Sequence, residues 1–244
     1  MSEPNHLTEL RRLTTELNGR ARQLEQIEWM LRTPGSSRSA RFQKYTPSYG
    51  NVVALGGEGR IRKAVGEELL AEMVSDYIDL LGTSGAVYEI DGTYALGIFA
   101  SGWCRLMDAA SRDLCRTEDN IEALESRNWL CHESCWRDAS LVSIRTGRPS
   151  DVPCNGGLRL FAVPVFAGTE CVGSMNFGYG DPPTDTEELA RLAELYNLDK
   201  EALEIEAPRY MHRPSFIVEF AKARLQTTAQ IVGEFVLRSE RATT

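Results

Sequence analysis

The sequence predicts an α+β fold: a small antiparallel sheet with helices packed on one face, flanked by a helix at each end. Three observations carry this reading. Two segments, 86–99 and 157–180, each hold paired strand-like runs around a two-residue turn. Stretches of helical period fill the interval between them, and amphipathic stretches occupy both ends of the chain. At 244 residues, 42% hydrophobic and 25% charged, the chain can support one well-packed domain with helical appendages, or two small ones.

In chain order, Leu10, Leu17, Leu24 and Leu31 recur every seven residues, with Leu13 and Ile27 at intervening positions and Arg20 breaking the pattern. This is either the seam of a parallel coiled-coil homodimer or the inward stripe of a helix lying on its own domain. Pro34-Gly35 should stop the helix, and PGSSRSARFQKYTPSYG (34–50) has linker composition. A second helix is expected from Ile61 to Leu81, with Ile61, Val65, Leu69, Met73, Tyr77 and Leu81 as its apolar face and Gly82 as its stop. AVYEIDGTYALGIF (86–99) then places Asp91-Gly92 between Val-, Tyr- and Ile-rich runs, the form of a tight hairpin.

Helices follow at about 101–114, 118–126 and 133–146, the last closed by Gly147. A second hairpin, 157–166 and 169–180, turns at Ala167-Gly168, and Pro164 marks an edge or a bulge. Thr184 and Glu187 read as a capping box opening a helix that presents Leu189, Leu192 and Leu195 inward. A last helix runs from about Ser215 to Arg238, carrying Phe216, Phe220, Leu225, Val232 and Phe235. The expected division is therefore an N-terminal helix (1–33), a linker (34–60), a sensory domain (61–206) and a C-terminal signalling helix (207–244).

A net charge of −8 offers no basic stripe for a phosphate backbone, so nucleic acid is not an expected direct partner. No apolar run approaches the roughly 20 residues that cross a bilayer, and MSEPNHLTELRR lacks the order of a secretory signal. A cytoplasmic location follows as the expectation, in which six cysteines act as thiols, packing residues or ligands rather than a disulfide framework.

The chemistry concentrates between residues 103 and 136, in Trp103-Cys104, Cys115, Trp129, Cys131-His132 and Cys135-Trp136. Soft sulfur, an imidazole and flat aromatic surfaces suit a small apolar ligand or a metal better than a solvated face. Cys154, in the loop entering the third strand, can converge on the same cavity, whereas Cys115 and Cys171 fall outside the pattern and read as packing residues. Zinc knuckles usually show Cys-x-x-Cys, but here one Cys-x-x-x-Cys is joined by two distant single cysteines. The zinc-deaminase pattern also fails, because position 157 is glycine where its second cysteine would stand.

SGWCRLMDAASRDLC (101–115), CHESCW (131–136) and PCNGGLRLFAVPVFAGTECVGSMNFGYGD (153–181) resemble the PocR-type sensory domain, a PAS-like ligand-binding module of prokaryotic signalling proteins, over roughly residues 60–180. The resemblance implies a regulatory sensor of small organic molecules, proposed for simple hydrocarbon derivatives, usually joined to a kinase, a cyclic-dinucleotide enzyme or a DNA-binding output. No such output motif stands in the remaining residues, so the expected output is another protein or a longer parent chain. The expected ligand site comprises Trp103, Cys104, Cys131, His132, Cys135, Trp136 and Cys154, with no catalytic residues. The alternatives are a zinc, iron or iron–sulfur sensor on Cys104, Cys131, Cys135 and Cys154, and a cysteine-dependent enzyme.

Overall fold

The computed structural model describes residues 8, 10–21, 24, 45–57, 59–210 and 212–243. Residues 10–21 are helical, with Leu10, Leu13, Leu17 and Leu24 exposed. Ile27, Leu31, the Pro34-Gly35 stop and linker residues 34–44 lie outside the described residues.

The predicted 61–81 helix is two helices, α1 (Arg60–Val65) and α2 (Glu67–Leu81). Gly66 breaks it at φ +81°, a conformation that glycine reaches without the Cβ penalty. The break rotates the buried face to Leu70, Val74, Tyr77, Ile78 and Leu81, leaving Leu69 exposed. Strands β1 (Ser84–Glu89) and β2 (Tyr94–Phe99) form the first predicted hairpin, and Gly92 turns at φ +92°. A register shift after Val87 pairs Val87 with Leu96 but Tyr88 with Tyr94, so Ala95 is the extra residue of a bulge.

Helices α3 (Gly102–Asp113) and α4 (Asn120–Glu125) follow, started by the side chains of Ser101 and Asp119. A continuous helical rod then changes gait: α5 (Leu130–His132), a π-helical segment (Glu133–Ser140) and α6 (Leu141–Thr146), ended by Gly147 at φ +63°. The sequence reading missed β3 (Ser150–Pro153), because SDVP has neither length nor alternation. Strands β4 (Arg159–Ala167) and β5 (Glu170–Tyr179) are the second hairpin. Pro164 sits beyond the end of β3, where its missing N–H breaks no ladder bond on that side, and the register shifts one residue later.

Helix α7 (Thr186–Tyr196) is capped one residue later than expected: Asp185, not Thr184, accepts from the N–H groups of Glu187 and Glu188. Aspartate outranks threonine as an N-cap and carries a full charge against the helix dipole. Helices α8 (Lys200–Glu206) and α9 (Ser215–Thr243) complete the chain.

The sheet is antiparallel throughout, in the order β2-β1-β5-β4-β3, with α3 to α6 inserted between β2 and β3. That PAS-like α+β architecture is the predicted class. Helix coverage extends to both faces rather than one. Val87, Phe161, Val163, Met175 and Phe177 pack under α2 and α9, whereas Ala86, Tyr88, Tyr94, Leu160 and Ala162 pack under the π-helical segment and its neighbours. The reason is visible in β1, where Val87 and Tyr88 point to opposite faces and both are buried. Among the described residues no helix is long and apolar enough to cross a membrane.

Candidate functional site

The cysteine- and tryptophan-rich region lies beneath the second sheet face. Ser101 caps α3 by accepting from the Cys104 N–H at 3.0 Å, which sets Trp103 and Met107 facing inward one turn apart. Trp103 is 1% exposed and donates from Nε1 to the Gly156 carbonyl at 2.9 Å, tying α3 to the loop before β4. Cys154 begins that loop; its Sγ accepts from the Gly156 N–H at 3.3 Å.

Cys154, Met107 and Tyr196 converge on Gly156: a Cβ there would sit in ordinary contact with Cys154 Sγ at 3.6 Å, Met107 Cγ at 3.7 Å and Tyr196 Oη at 3.7 Å. These contacts put Tyr196, from α7, at the thiols. Its hydroxyl meets the Cys131 thiol, a weak sulfur partner, and among the described residues it makes no hydrogen bond of ordinary geometry.

The π-helical segment positions Cys135, and α5, which leads into it, carries Cys131. A π turn displaces backbone carbonyls from their usual partners. Here Asn176 of β5 takes up the slack, donating from Nδ2 to the Cys135 carbonyl at 3.0 Å and to Ser140 Oγ at 2.9 Å, while its Oδ1 accepts from the Ala86 N–H. Ser134 Oγ accepts from the Asn155 N–H at 3.1 Å, fastening the same segment to the Cys154 loop.

Three apolar clusters meet at this place, and the thiols mark their seams. Cys131 packs against both the Trp103–Tyr196 cluster and the Tyr88–Tyr94–Trp129 cluster, Cys135 against the latter and the Ala139–Leu160 cluster, and Cys154 against the first and third. Cys104 borders the first alone. All six cysteines are free. Burial pushes the thiols of Cys104, Cys131 and Cys135 up and holds Cys154 at about 11, so all four are protonated at neutral pH. Neutral thiols are poor nucleophiles and favour a neutral guest. Among the described residues no group of three or more His, Cys, Asp or Glu is placed to hold a metal ion.

His132 and Trp136 fall on the aromatic side of this seam, next to Tyr88 and Tyr94. His132 is buried, its Nδ1 2.8 Å from Tyr94 Oη, and desolvation, reinforced by the Arg137 charge, lowers it to about 4. It is therefore a neutral hydrogen-bonding group at physiological pH.

The structure adds a buried carboxylate that sequence reasoning missed. Asp108 is 4% exposed, accepting from Trp129 Nε1 at 2.9 Å and from the Tyr49 hydroxyl. Burial raises it to about 6 against the opposing hydrogen bonds of Tyr49 and Trp129 and the Arg112 charge. A charged residue one step from Met107, on the inward arc of α3, was the available signal. Cys115 and Cys171 serve packing: their thiols donate to the carbonyls of Ser111 and Gly173.

A separate groove of about 1010 Å³ runs along β2, lined by none of the described cysteines or tryptophans.

A family model described as "Sensory domain found in PocR" matches residues 64–233, from the end of α1 into α9. The match covers most of the chain, so the chain belongs to the PocR sensory-domain family and is a sensory module. No curated protein matches it.

Proposed function

We propose that the module senses a small, neutral organic molecule held at the seam bounded by Trp103, Cys104, Cys131, Cys135 and Cys154, with His132 and Trp136 as its aromatic side. The observation that carries this reading is the Tyr196 hydroxyl, buried against the thiols with only the weak sulfur of Cys131 to meet it among the described residues. An unsatisfied buried hydroxyl costs about 1–3 kcal/mol, which a guest accepting or donating one hydrogen bond would recover. Protonated thiols and tryptophan faces complete a lining without net charge, matched to short alcohols, diols or aldehydes. The module performs no turnover of its own, because the lining holds no thiolate and the imidazole of His132 is hydrogen-bonded to Tyr94 rather than to a thiol. It acts in the cytoplasm as a homodimer, residues 61–206 sensing and residues 207–244 carrying the signal to a protein partner.

Relay is a population shift: the guest favours whichever helix arrangement it binds more tightly. Two connections support it. Tyr49, ahead of α1, reaches Asp108 and stacks edge-on against Trp129 at 4.9 Å, linking the N-terminal side to the seam. Arg60 bridges Glu170 of β5 and Glu240 near the end of α9 at 2.6 and 2.7 Å, linking the C-terminal helix to the sheet.

The test is a thermal-shift and tryptophan-fluorescence screen of small alcohols, diols and aldehydes on the wild type, Cys104→Ser, Cys154→Ser and Tyr196→Phe. The expected result is at least one compound that raises Tm, with stabilisation approaching about 2.7 kcal/mol at a hundredfold excess over Kd. Its effect should weaken in the serine variants and be lost in Tyr196→Phe, which itself should be as stable as the wild type or more so. The reading fails if no compound shifts the wild type, or if stoichiometric metal appears in anaerobically purified protein.

A further inference from the structure

We infer that the groove beside β2 is a docking site for an extended, basic peptide segment of a partner protein, which adds to the sheet as a sixth strand. The inference is independent of the ligand reading, since the groove shares no residue with the thiol seam.

Three observations converge. Among the described residues β2 ends the sheet and is paired only with β1. Its sequence, YALGIF, has neither the lysine nor the proline with which proteins ordinarily blunt an edge. Leu96, Gly97, Ile98 and Phe99 all line the groove although their side chains alternate between faces, which requires that the groove follow the backbone edge. The Phe99 carbonyl is taken by Arg105 Nε at 2.8 Å, closing one end.

The opposite wall is the start of α2, with Glu67, Glu68 and Glu72, and among the described residues the lining contains no Lys, Arg or His. Glu67 lies 3.9 Å from Arg62, while Glu68 and Glu72 are exposed. The site thus offers main-chain hydrogen bonding on one side, carboxylates on the other and apolar ground from Val53, Val65 and Ile98 between. A strand with alternating apolar and basic side chains satisfies all three at once. A volume of about 1010 Å³ is room enough for a short peptide segment.

The experiment is fluorescence anisotropy with a labelled, acetylated Lys-Val-Arg-Val-Lys-Val peptide on the full chain. Saturable binding is expected, weakened at least tenfold by Glu68→Lys/Glu72→Lys and by N-methylation of alternate peptide bonds in the probe, and weakened by salt. Because both substitutions lie on an exposed helix face, an unchanged melting curve verifies the fold of the variant. No binding overturns the proposal, as does binding indifferent to charge reversal or to N-methylation. So do two other occupants: a peptide of residues 32–44 binding more tightly than the probe, which would assign the groove to the chain's own linker, or self-association abolished by the charge reversal, which would assign it to a second copy.

Discussion

Asp108 and His132 are buried on either side of Trp129 and are displaced in opposite directions, so their contributions to stability oppose each other across one pH range. For Asp108 the folded pKa is about 6 against an ordinary 3.8. The folded state holds the proton more tightly, so stability falls as pH rises from about 3.8 to about 6. At about 1.4 kcal/mol per tenfold in proton affinity, the full effect is about 3 kcal/mol, of which about 2 falls between pH 4.5 and 7.5. For His132 the folded pKa is about 4 against 6.5, the folded state excludes the proton, and stability falls as pH drops below about 6.5. That effect is also about 2–3 kcal/mol between pH 7.5 and 4.5. In the wild type the two nearly cancel. Asp108→Asn, whose amide keeps an acceptor for Trp129 and can donate to the Tyr49 oxygen, should gain about 2 kcal/mol relative to wild type as pH rises from 4.5 to 7.5. His132→Gln should gain a similar amount as pH falls over the same interval. Urea denaturation followed by tryptophan fluorescence across that range measures both differences. Glu89, Asp138 and Asp151 also titrate abnormally, but they are common to all three proteins and drop out of the differences. Variant curves that run parallel to the wild type would refute the assignment of these two groups as buried and oppositely displaced.

Gly233 of α9 faces the β4 bulge so closely that an added Cβ would lie 1.9 Å from the Phe166 carbonyl oxygen. Gly233→Ala should therefore cost at least about 2 kcal/mol by lifting α9 from the sheet, whereas Gly19→Ala, with nothing within 4 Å, should stabilise its helix by up to about 1 kcal/mol. Chemical denaturation distinguishes the signs, and two equal effects would contradict the packing of α9. The exposed leucines at positions 10, 13, 17 and 24 predict that removing residues 1–33 reduces a homodimer to a monomer in light scattering. A monomeric intact chain would remove the coiled-coil reading and weaken the relay.

What could be read from the chain and what could not divide along a physical line. Both hairpins were legible because their information is local: Asp91-Gly92 and Ala167-Gly168 supply the turns, and alternating β-branched and aromatic residues supply the strands. The order of the helices between them was legible for the same reason. The break at Gly66 was not, since an isolated glycine in a helical pattern does not show whether the chain there takes a positive φ. The π-helical gait of Glu133–Ser140 was equally hidden: its carbonyl and hydroxyl bond to Asn176, forty-one residues from Cys135 and thirty-six from Ser140.

The same distinction explains the candidate site. Residue type drew attention to the cysteines and tryptophans, but it could not separate Cys131, Cys135 and Cys154, which each border two clusters, from Cys104 and Cys115, which each border one. Nor could it find Tyr196 and Asp108, whose ordinary helical contexts conceal that each is buried by elements remote in sequence. A hydroxyl met only by a weak thiol among the described residues and a carboxylate displaced to about 6 are properties of the assembled fold. A sensor must respond to a guest by changing its own equilibrium, and the groups best able to do so are those that the fold's own contacts leave poorly satisfied. Tyr196 is such a group and Trp103 is not, because Gly156 already accepts its N–H. Tyr196→Phe should therefore silence the response while sparing the fold, whereas truncating Trp103 would damage both and discriminate nothing.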